Sequence, residues 1–396
     1  MKILFVCHRL PYPPERGGKI RPFNMIHWLH DHGHEVTVVS IARSKQELEK
    51  GKGLYAFCHR YDAALISPLR GWLQAALFAL SPLPSSLGYF YVPGLRERVR
   101  RILQNERFDM LWVHCSSVAQ YVLDHDSCYR VMDFGDMDSE KWFRFARQRA
   151  FPLSLGYQME GIKLRRYEER LARAFNCCTV VSRAEKRTLD TFGFPVSVTV
   201  IPNGVDIDYF NNPTGNYDPR TLIFLGQMDY YPNVDAVEYF CNAILPLIRR
   251  ELPDVRLQIV GNSPNRRVRN LARIPGVEIT GPVPDVRPYL IKAAVSIAPL
   301  RIACGIQNKV LESMAMRVPV VASSGAFDGI TAVENEDLLV DDSPEGFASK
   351  VVALLNDPAL RDRIADAGRR RIERSHTWPA CLAVLSELLI ESARSH

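Results

Sequence analysis

The sequence has no long apolar run. Trp72 to Leu80, its most hydrophobic later stretch, is interrupted by Gln74 and closed by Ser81-Pro82, well short of the ~20 residues a membrane-spanning helix requires. The opening run Ile3 to Cys7 is also shorter than the ~7–15 apolar residues at the centre of a signal peptide, so a first strand is expected there and not a leader. Paired cysteines are missing too. The nine cysteines (Cys7, Cys58, Cys115, Cys128, Cys177, Cys178, Cys241, Cys304 and Cys381) include no CxxC and join no histidine at metal-ligand spacing. This excludes a zinc ribbon or a disulfide scaffold and fits reduced thiols in a cytosolic chain, most of them small core residues. No internal repeat or low-complexity tract occurs, which sets aside solenoids and disordered tails.

What is present is globular in composition. With 396 residues, 47% hydrophobic and 24% charged, the chain is long enough for two or three domains and a sizeable core. Its formal net charge of +6 suits anionic partners, but charge alone does not separate nucleotide phosphates, lipid headgroups and nucleic acid.

Short apolar runs alternate with longer helical patterns: KILFVC, EVTVVS (Glu35–Ser40), AALIS (Ala63–Ser67), MLWVH (Met110–His114), YRVMD (Tyr129–Asp133), CCTVVS (Cys177–Ser182) and VTVIP (Val198–Pro202). Continuous apolar strands between helices indicate a parallel sheet covered on both faces. The series restarts with TLIFLG (Thr221–Gly226), RLQIVG (Arg256–Gly261), VEITG (Val277–Gly281), VSIAP (Val295–Pro299), PVVAS (Pro319–Ser323) and LLV (Leu338–Val340), a second α/β sheet. Between them NNPTGNYDPR (Asn211–Arg220) has the composition of a boundary, which places the hinge near 203–220. The expected division is 1–203 and 204–377, with a last helix at about 378–396 packing back on the first domain. Ser343-Pro344-Glu345 and Asp357-Pro358 each put a capping side chain before a proline at the first helical position.

Two places carry candidate chemistry. Gly17-Gly18 stand between the first strand and a helix, where backbone N–H groups can approach a phosphate with help from the helix dipole; an ordinary turn is the competing reading. In APLRIACGIQNKVLESMAMRVPVVASSGAFDGI (Ala298–Ile330) a strand, a glycine loop and a helix put Asn308, Lys309 and Glu312 at or near the helix start. Lys309 and Glu312 share a face. An ammonium beside a helix N-terminus opposes the dipole, which suggests that it serves a bound anion. A carboxylate one turn further in can accept hydrogen bonds from both hydroxyls of a ribose. An isolated Lys–Glu pair would read as solvated surface, but strand, loop, helix and strand with glycines at both strand ends describe a ligand crevice at the carboxyl edge of a parallel sheet.

VVSRAEKRTL, VIPNGVDIDYF, IFLGQMDYYPN, VEITGPVPDVRPYL and NKVLESMAMRVPVVAS, in this order and spacing, resemble the family-four GT-B glycosyltransferases over nearly the whole chain. MDFGDMDSEKW (Met132–Trp142) and GQMDYYPNVDAVEYF (Gly226–Phe240) further resemble the branch associated with bacterial exopolysaccharide and exosortase (PEP-CTERM) loci. The resemblance implies an α/β fold of two Rossmann-like parallel-sheet domains facing a central cleft. It implies a retaining, hexosyl-type enzyme that moves a sugar from a UDP- or GDP-linked donor to a glycan or lipid-linked acceptor.

Carried over by position, Glu312 holds the donor ribose, Lys309 and Asn308 lie near the diphosphate, and Gly17-Gly18 contact it from the other domain. Gly226 and Gly305 line the donor site, Val283 faces the base through its backbone, and His114 faces the sugar. Lys309 and His114 are the candidate catalytic side chains, although a histidine ending a strand is as readily structural. Cys304 stands where the family has a glutamate, and the usual Arg and Lys after Gly226 give way to Gln227 and a segment containing Asn233. No covalent nucleophile is nominated.

Asp133, Asp136 and Asp138 invite a metal reading, which the resemblance opposes, because GT-B enzymes meet the diphosphate with side chains and helix dipoles. Neither a metal nor a cofactor is expected, and no nucleic acid partner. Basic residues in LRERVRRIL (Leu95–Leu103), with Lys163, Arg165, Arg166, Arg170 and Arg173, either rest on anionic lipid or form a solvated helix face. The expected location is the cytoplasm, with the inner membrane face as a further contact. The rivals are a nucleotide-sugar epimerase, which needs no acceptor, and a non-catalytic sugar-nucleotide-binding partner, motivated by Cys304.

Overall fold

The computed structural model of the chain describes residues 1–15, 17–193, 195–212, 216–303 and 305–394. Two compact units result: Met1–Ile201 together with Leu382–His396, and Pro202–Cys381.

The first unit is built on seven strands, β1 (Lys2–Cys7), β2 (Glu35–Ala42), β3 (Arg60–Leu65), β4 (Met110–His114), β5 (Tyr129–Gly135), β6 (Cys177–Val180) and β7 (Ser197–Val200). All pair in parallel, in the order β3-β2-β1-β4-β5-β6-β7. Every residue of β4, and every residue of β1 after Lys2, is buried, as a sheet covered by helices on both faces demands. Phe5 and Trp112 lie opposite each other in the β1–β4 register and stack with ring centroids 6.0 Å apart. The strand order reverses between β1 and β4, so their carboxyl ends open the crevice that such sheets use for ligands.

The second unit carries β8 (Asp218–Leu225), β9 (Arg256–Val260), β10 (Val277–Gly281), β11 (Ala293–Ala298), β12 (Val320–Ala322) and β13 (Leu339–Val340), in the order β10-β9-β8-β11-β12-β13. These pairs too are parallel, and the order reverses between β8 and β11.

Each of the thirteen apolar runs thus corresponds to a strand, and the chain has the GT-B arrangement of two Rossmann-like domains. The clearest departures from the sequence reading are at β8, β3 and the last helix; β8 starts at Asp218, three residues before the expected Thr221 and inside the stretch read as a boundary. β3 starts at Arg60, three residues before the expected Ala63. It is the edge strand, and Arg60, Tyr61 and Asp62 are only partly covered, so no apolar signal marks its start. The last helix, expected unbroken from about Trp378, is interrupted at Ala383 into Trp378–Leu382 and Val384–Arg394. Its halves answer to different cores: Cys381 Sγ lies against Asn203 O in the second unit, whereas Glu391 lies near Tyr129 and Cys177 in the first.

The two marked helix starts are capped. Ser343 Oγ accepts from Gly346 N at 3.0 Å and Asp357 Oδ1 from Leu360 N at 2.9 Å, each ahead of a proline at the first turn. Such caps contribute about 1 kcal/mol apiece.

Candidate functional site

In the second unit the candidate site lies at the reversal between β8 and β11. Gly226 follows β8 and Gly261 follows β9, and their backbones touch: a Cβ on Gly261 would sit 1.7 Å from Gly226 O. A Cβ on Gly226 would meet the Asn233 side chain at 2.7 Å. The absence of side chains lets both loops close over the sheet edge and frees Asn233 to work there. Its Nδ2 donates to Gln227 O at 2.9 Å, and its Oδ1 accepts from Lys309 Nζ at 2.5 Å.

Lys309 is on the helix Asn308–Ala315, which follows β11 through a loop containing Gly305 at φ 63°, a left-handed conformation. Its ammonium also sits 4.4 Å from the centroid of the Phe224 ring on β8, a cation–π contact. Desolvation pushes the Lys309 pKa down to about 7 and that of Glu312 up to about 7, each shift opposed by the charge of the other. Lys309 and Glu312 are half-buried and not a solvated surface pair.

The helix start is prepared for an anion. Gln307 does not cap it, sending its amide back to Gly305 O at 3.3 Å, and the first turn has no acidic residue. Its leading N–H groups and Lys309 therefore share one positive end. Ser313, one turn on, ties the helix to β11 through Ser296 Oγ at 2.8 Å.

Asn308 is held from behind. Asn203 Nδ2 donates to Asn308 Oδ1 at 3.0 Å; Asn203 O contacts His376 Nδ1 at 3.2 Å, and His376 Nε2 accepts from Thr331 N at 2.9 Å. With Nε2 accepting, Nδ1 carries the proton and donates, which fixes the tautomer. Burial pushes the His376 pKa down and favours this neutral form. Val283 lies in the loop after β10 and packs on Leu225, Val260 and their neighbours. Cys304 lies outside the described residues.

In the first unit Gly17 and Gly18 open the helix Gly17–Asp31, with Gly18 beside the Arg9 side chain. His114 ends β4 and is buried, and its Nδ1 meets Asp133 Oδ2 at 2.7 Å. A carboxylate can only accept, so Nδ1 is the donor and Nε2 is the ring nitrogen this contact leaves over. Asp133 also receives Arg21 Nε at 3.2 Å, Arg21 NH2 at 2.9 Å and Thr179 Oγ1 at 2.7 Å, while Arg21 NH1 donates to Ile201 O at 2.6 Å. Burial acts to raise the Asp133 pKa, but the charges and hydrogen bonds of Arg21 and His114 outweigh it and hold the carboxyl well below the usual range.

Asp133 is therefore committed to this network. Asp136 is exposed and Asp138 opens the next helix. Among the described residues no three His, Cys, Asp or Glu side chains gather as a metal site.

The basic stretches divide. In the helix Pro93–Asn105, Arg96, Arg98, Arg100 and Arg101 pair with Asp124, Asp62 and Glu97, which favours the solvated-face reading there. Lys163 caps another helix through Phe78 O and Ala79 O, and Arg165 pairs with Glu140 at 2.7 Å. Arg166, Arg170 and Arg173 are exposed. No helix among the described residues is long and apolar enough to cross a membrane.

The family comparison covers most of the chain: residues 16–204 match the profile of a glycosyl transferase 4-like domain, and residues 219–357 that of glycosyl transferases group 1. A 44.6 kDa protein in the cps region of Klebsiella pneumoniae is 22% identical over 89% of this chain and 90% of its own length. The phosphatidyl-myo-inositol mannosyltransferase of Mycobacterium leprae is 26% identical over 73% of this chain and 75% of its own. Anabaena HepE, solved with UDP and glucose, superimposes with a TM-score of 0.69 at 13% identity, covering 99% of this chain and 100% of that one. The chain is a GT-B glycosyltransferase, formed from a 4-like domain followed by a group 1 domain.

Proposed function

We propose that the enzyme transfers a hexosyl group, with retention of anomeric configuration, from a UDP- or GDP-linked donor to a glycan or lipid-linked acceptor. It would serve bacterial exopolysaccharide or surface-glycan synthesis, in the cytoplasm at the inner membrane face. The observation that carries this reading is the uncapped start of helix Asn308–Ala315, with Lys309 and Glu312 on one face at the reversal of the second sheet. In this reading Lys309, Asn308 and the helix amides meet the diphosphate, Glu312 takes the ribose hydroxyls and Val283 faces the base. Gly226 and Gly305 leave room for the donor. His114 faces the sugar, with Gly17-Gly18 as a further phosphate contact. The cps-region relative and the UDP-bound neighbour support it.

The departing nucleoside diphosphate develops negative charge on its oxygens. A preorganised ammonium and helix terminus stabilise that charge more than the ground state, which is what accelerates the step. A panel of UDP- and GDP-sugars should raise the melting temperature selectively. NMR of the product anomer from the best donor then tests retention, and turnover without any acceptor would point to an epimerase instead.

Transfer should proceed without a divalent metal, because Lys309 and the helix terminus already offer positive charge to the diphosphate. Dialysis against EDTA is expected to leave the rate unchanged; a loss restored by Mg²⁺ or Mn²⁺ would refute this.

Asn233 should act by positioning Lys309. Asn233→Ala removes a hydrogen bond to a charged group, and kcat/KM should fall by roughly 3–10-fold. Asn233→Asp keeps an acceptor but adds an anion that competes with the diphosphate, so donor KM should rise further. Equal donor KM in the two variants would mean that Asn233 only braces the Gly226 turn.

A further inference from the structure

The first unit presents an apolar surface that no part of the proposed reaction uses. In the helix Pro68–Ala79, Gly71 and Ala75 face the core, while Leu69, Trp72, Leu73, Ala76, Leu77 and then Leu80 face solvent. Their i, i+3, i+4, i+7 spacing makes one stripe. Trp72 is 67% exposed, Leu77 70% and Leu80 91%. A helix is expected to bury its apolar stripe, and this one has it on the outside.

A second helix continues the surface. Helix Leu153–Ala174 is tied to the first where Lys163 Nζ donates to Ala79 O at 2.7 Å. Phe151, just ahead of it, is 80% exposed, and Leu155, Met159 and Ile162 are exposed along one face. That same face continues at helical spacing into exposed Arg166, Arg170 and Arg173. No carboxylate interrupts the apolar part. The helix Pro68–Ala79 contains no acidic residue, and Glu160 turns inward to accept from Ser85 N and Oγ at 2.6 and 2.7 Å.

We propose that this surface docks in the interface of an anionic lipid bilayer, with the stripe of helix Pro68–Ala79 and the start of helix Leu153–Ala174 among the acyl chains. Arg166, Arg170 and Arg173 then meet the headgroups. The order along the second helix, apolar and then cationic, follows the order of hydrocarbon and phosphate through a leaflet. A second copy of this chain is a poorer occupant, because a self-complementary contact through this surface would bring its exposed arginines towards those of the partner. The first helix has only 12 residues, so it lies in the interface and does not span. The proposal does not depend on the reaction assigned above, and its test requires no turnover.

The full chain is sedimented with vesicles of phosphatidylcholine, with and without phosphatidylglycerol. Binding should be strong with phosphatidylglycerol and weakened by salt. L73E/L77E places two charges in the apolar stripe and should lower bound protein at least about tenfold, with an unchanged melting temperature since both positions are exposed. R166E/R170E should abolish the preference for phosphatidylglycerol. Brominated phosphatidylcholine in anionic vesicles should quench the wild-type tryptophan emission but not that of W72F.

Equal sedimentation of wild type and L73E/L77E would overturn the proposal. So would a wild-type dimer that L73E/L77E converts to monomer while neither binds vesicles, since the occupant would then be a second copy.

Discussion

Lys309→Ala and Glu312→Ala are each expected to lower kcat/KM for the nucleotide-sugar donor by roughly 10–150-fold. This corresponds to the loss of one charge-assisted contact of about 1.5–3 kcal/mol. The two losses should divide differently. In the proposed reading Lys309 would face charge that grows as the diphosphate leaves, so its removal should fall mainly on kcat. Glu312 would hold the ribose equally in ground and transition state, so its removal should raise donor KM with less effect on kcat. Steady-state kinetics across donor concentration checks both, and wild-type kcat/KM in both variants would remove the helix Asn308–Ala315 from the donor site. Lys309→Met is a useful companion, because it fills the space against Phe224 without charge and separates packing from electrostatics.

The largest expected effect on stability is at Asp133. Asp133→Ala leaves the Arg21 guanidinium buried without its carboxylate and His114 Nδ1 without its acceptor. Breaking a buried charged pair in this way costs about 3–5 kcal/mol, or on the order of 6–20 °C in melting temperature for a unit of this size. Melting within about 2 °C of wild type would show the network to be worth little.

The same residue sets an acid limb. The Asp133 carboxyl ionises far more easily in the folded chain than in the unfolded one, where its pKa is about 3.9. The unfolded state therefore binds more protons than the folded state below about pH 5. The stabilisation from Asp133 is complete above that and is lost as pH falls towards the folded value. Asp133→Asn should be less stable than wild type at neutral pH and lose less on acidification, and parallel melting curves down to pH 3 would contradict this.

The sheets were legible because parallel strands buried on two faces write themselves as uninterrupted apolar runs, and their carboxyl ends carry the loops that matter. Local spacing also sufficed to place Lys309 and Glu312 on one helix face. What it could not show were partners that are close only in space. Asn233 reaches Lys309 across 76 positions, Asn203 reaches Asn308 across 105, and Arg21 reaches Asp133 across 112. No period or motif joins such residues. Asn233 registered only as part of a departure from the expected Arg and Lys, and Asp133 only as part of an acidic run. The exposed stripe of Pro68–Ala79 was equally hidden, since a sequence shows that a face is apolar but not whether anything covers it.

The back-to-back approach of Gly226 and Gly261 sets a limit on redesigning the enzyme. Any side chain at Gly261 would occupy the space of the Gly226 carbonyl, and any at Gly226 would displace Asn233. A mutant library aimed at altered donor choice should therefore hold both positions invariant and diversify the loop after β10 around Val283. At the start of that loop a Cβ on Gly281 would meet no heavy atom within 4 Å, although its φ of 69° favours Gly or Asn. Codons varied at Gly226 or Gly261 would return mostly unfolded clones, whereas variation beside Val283 would sample the segment that the proposed reading sets against the donor base.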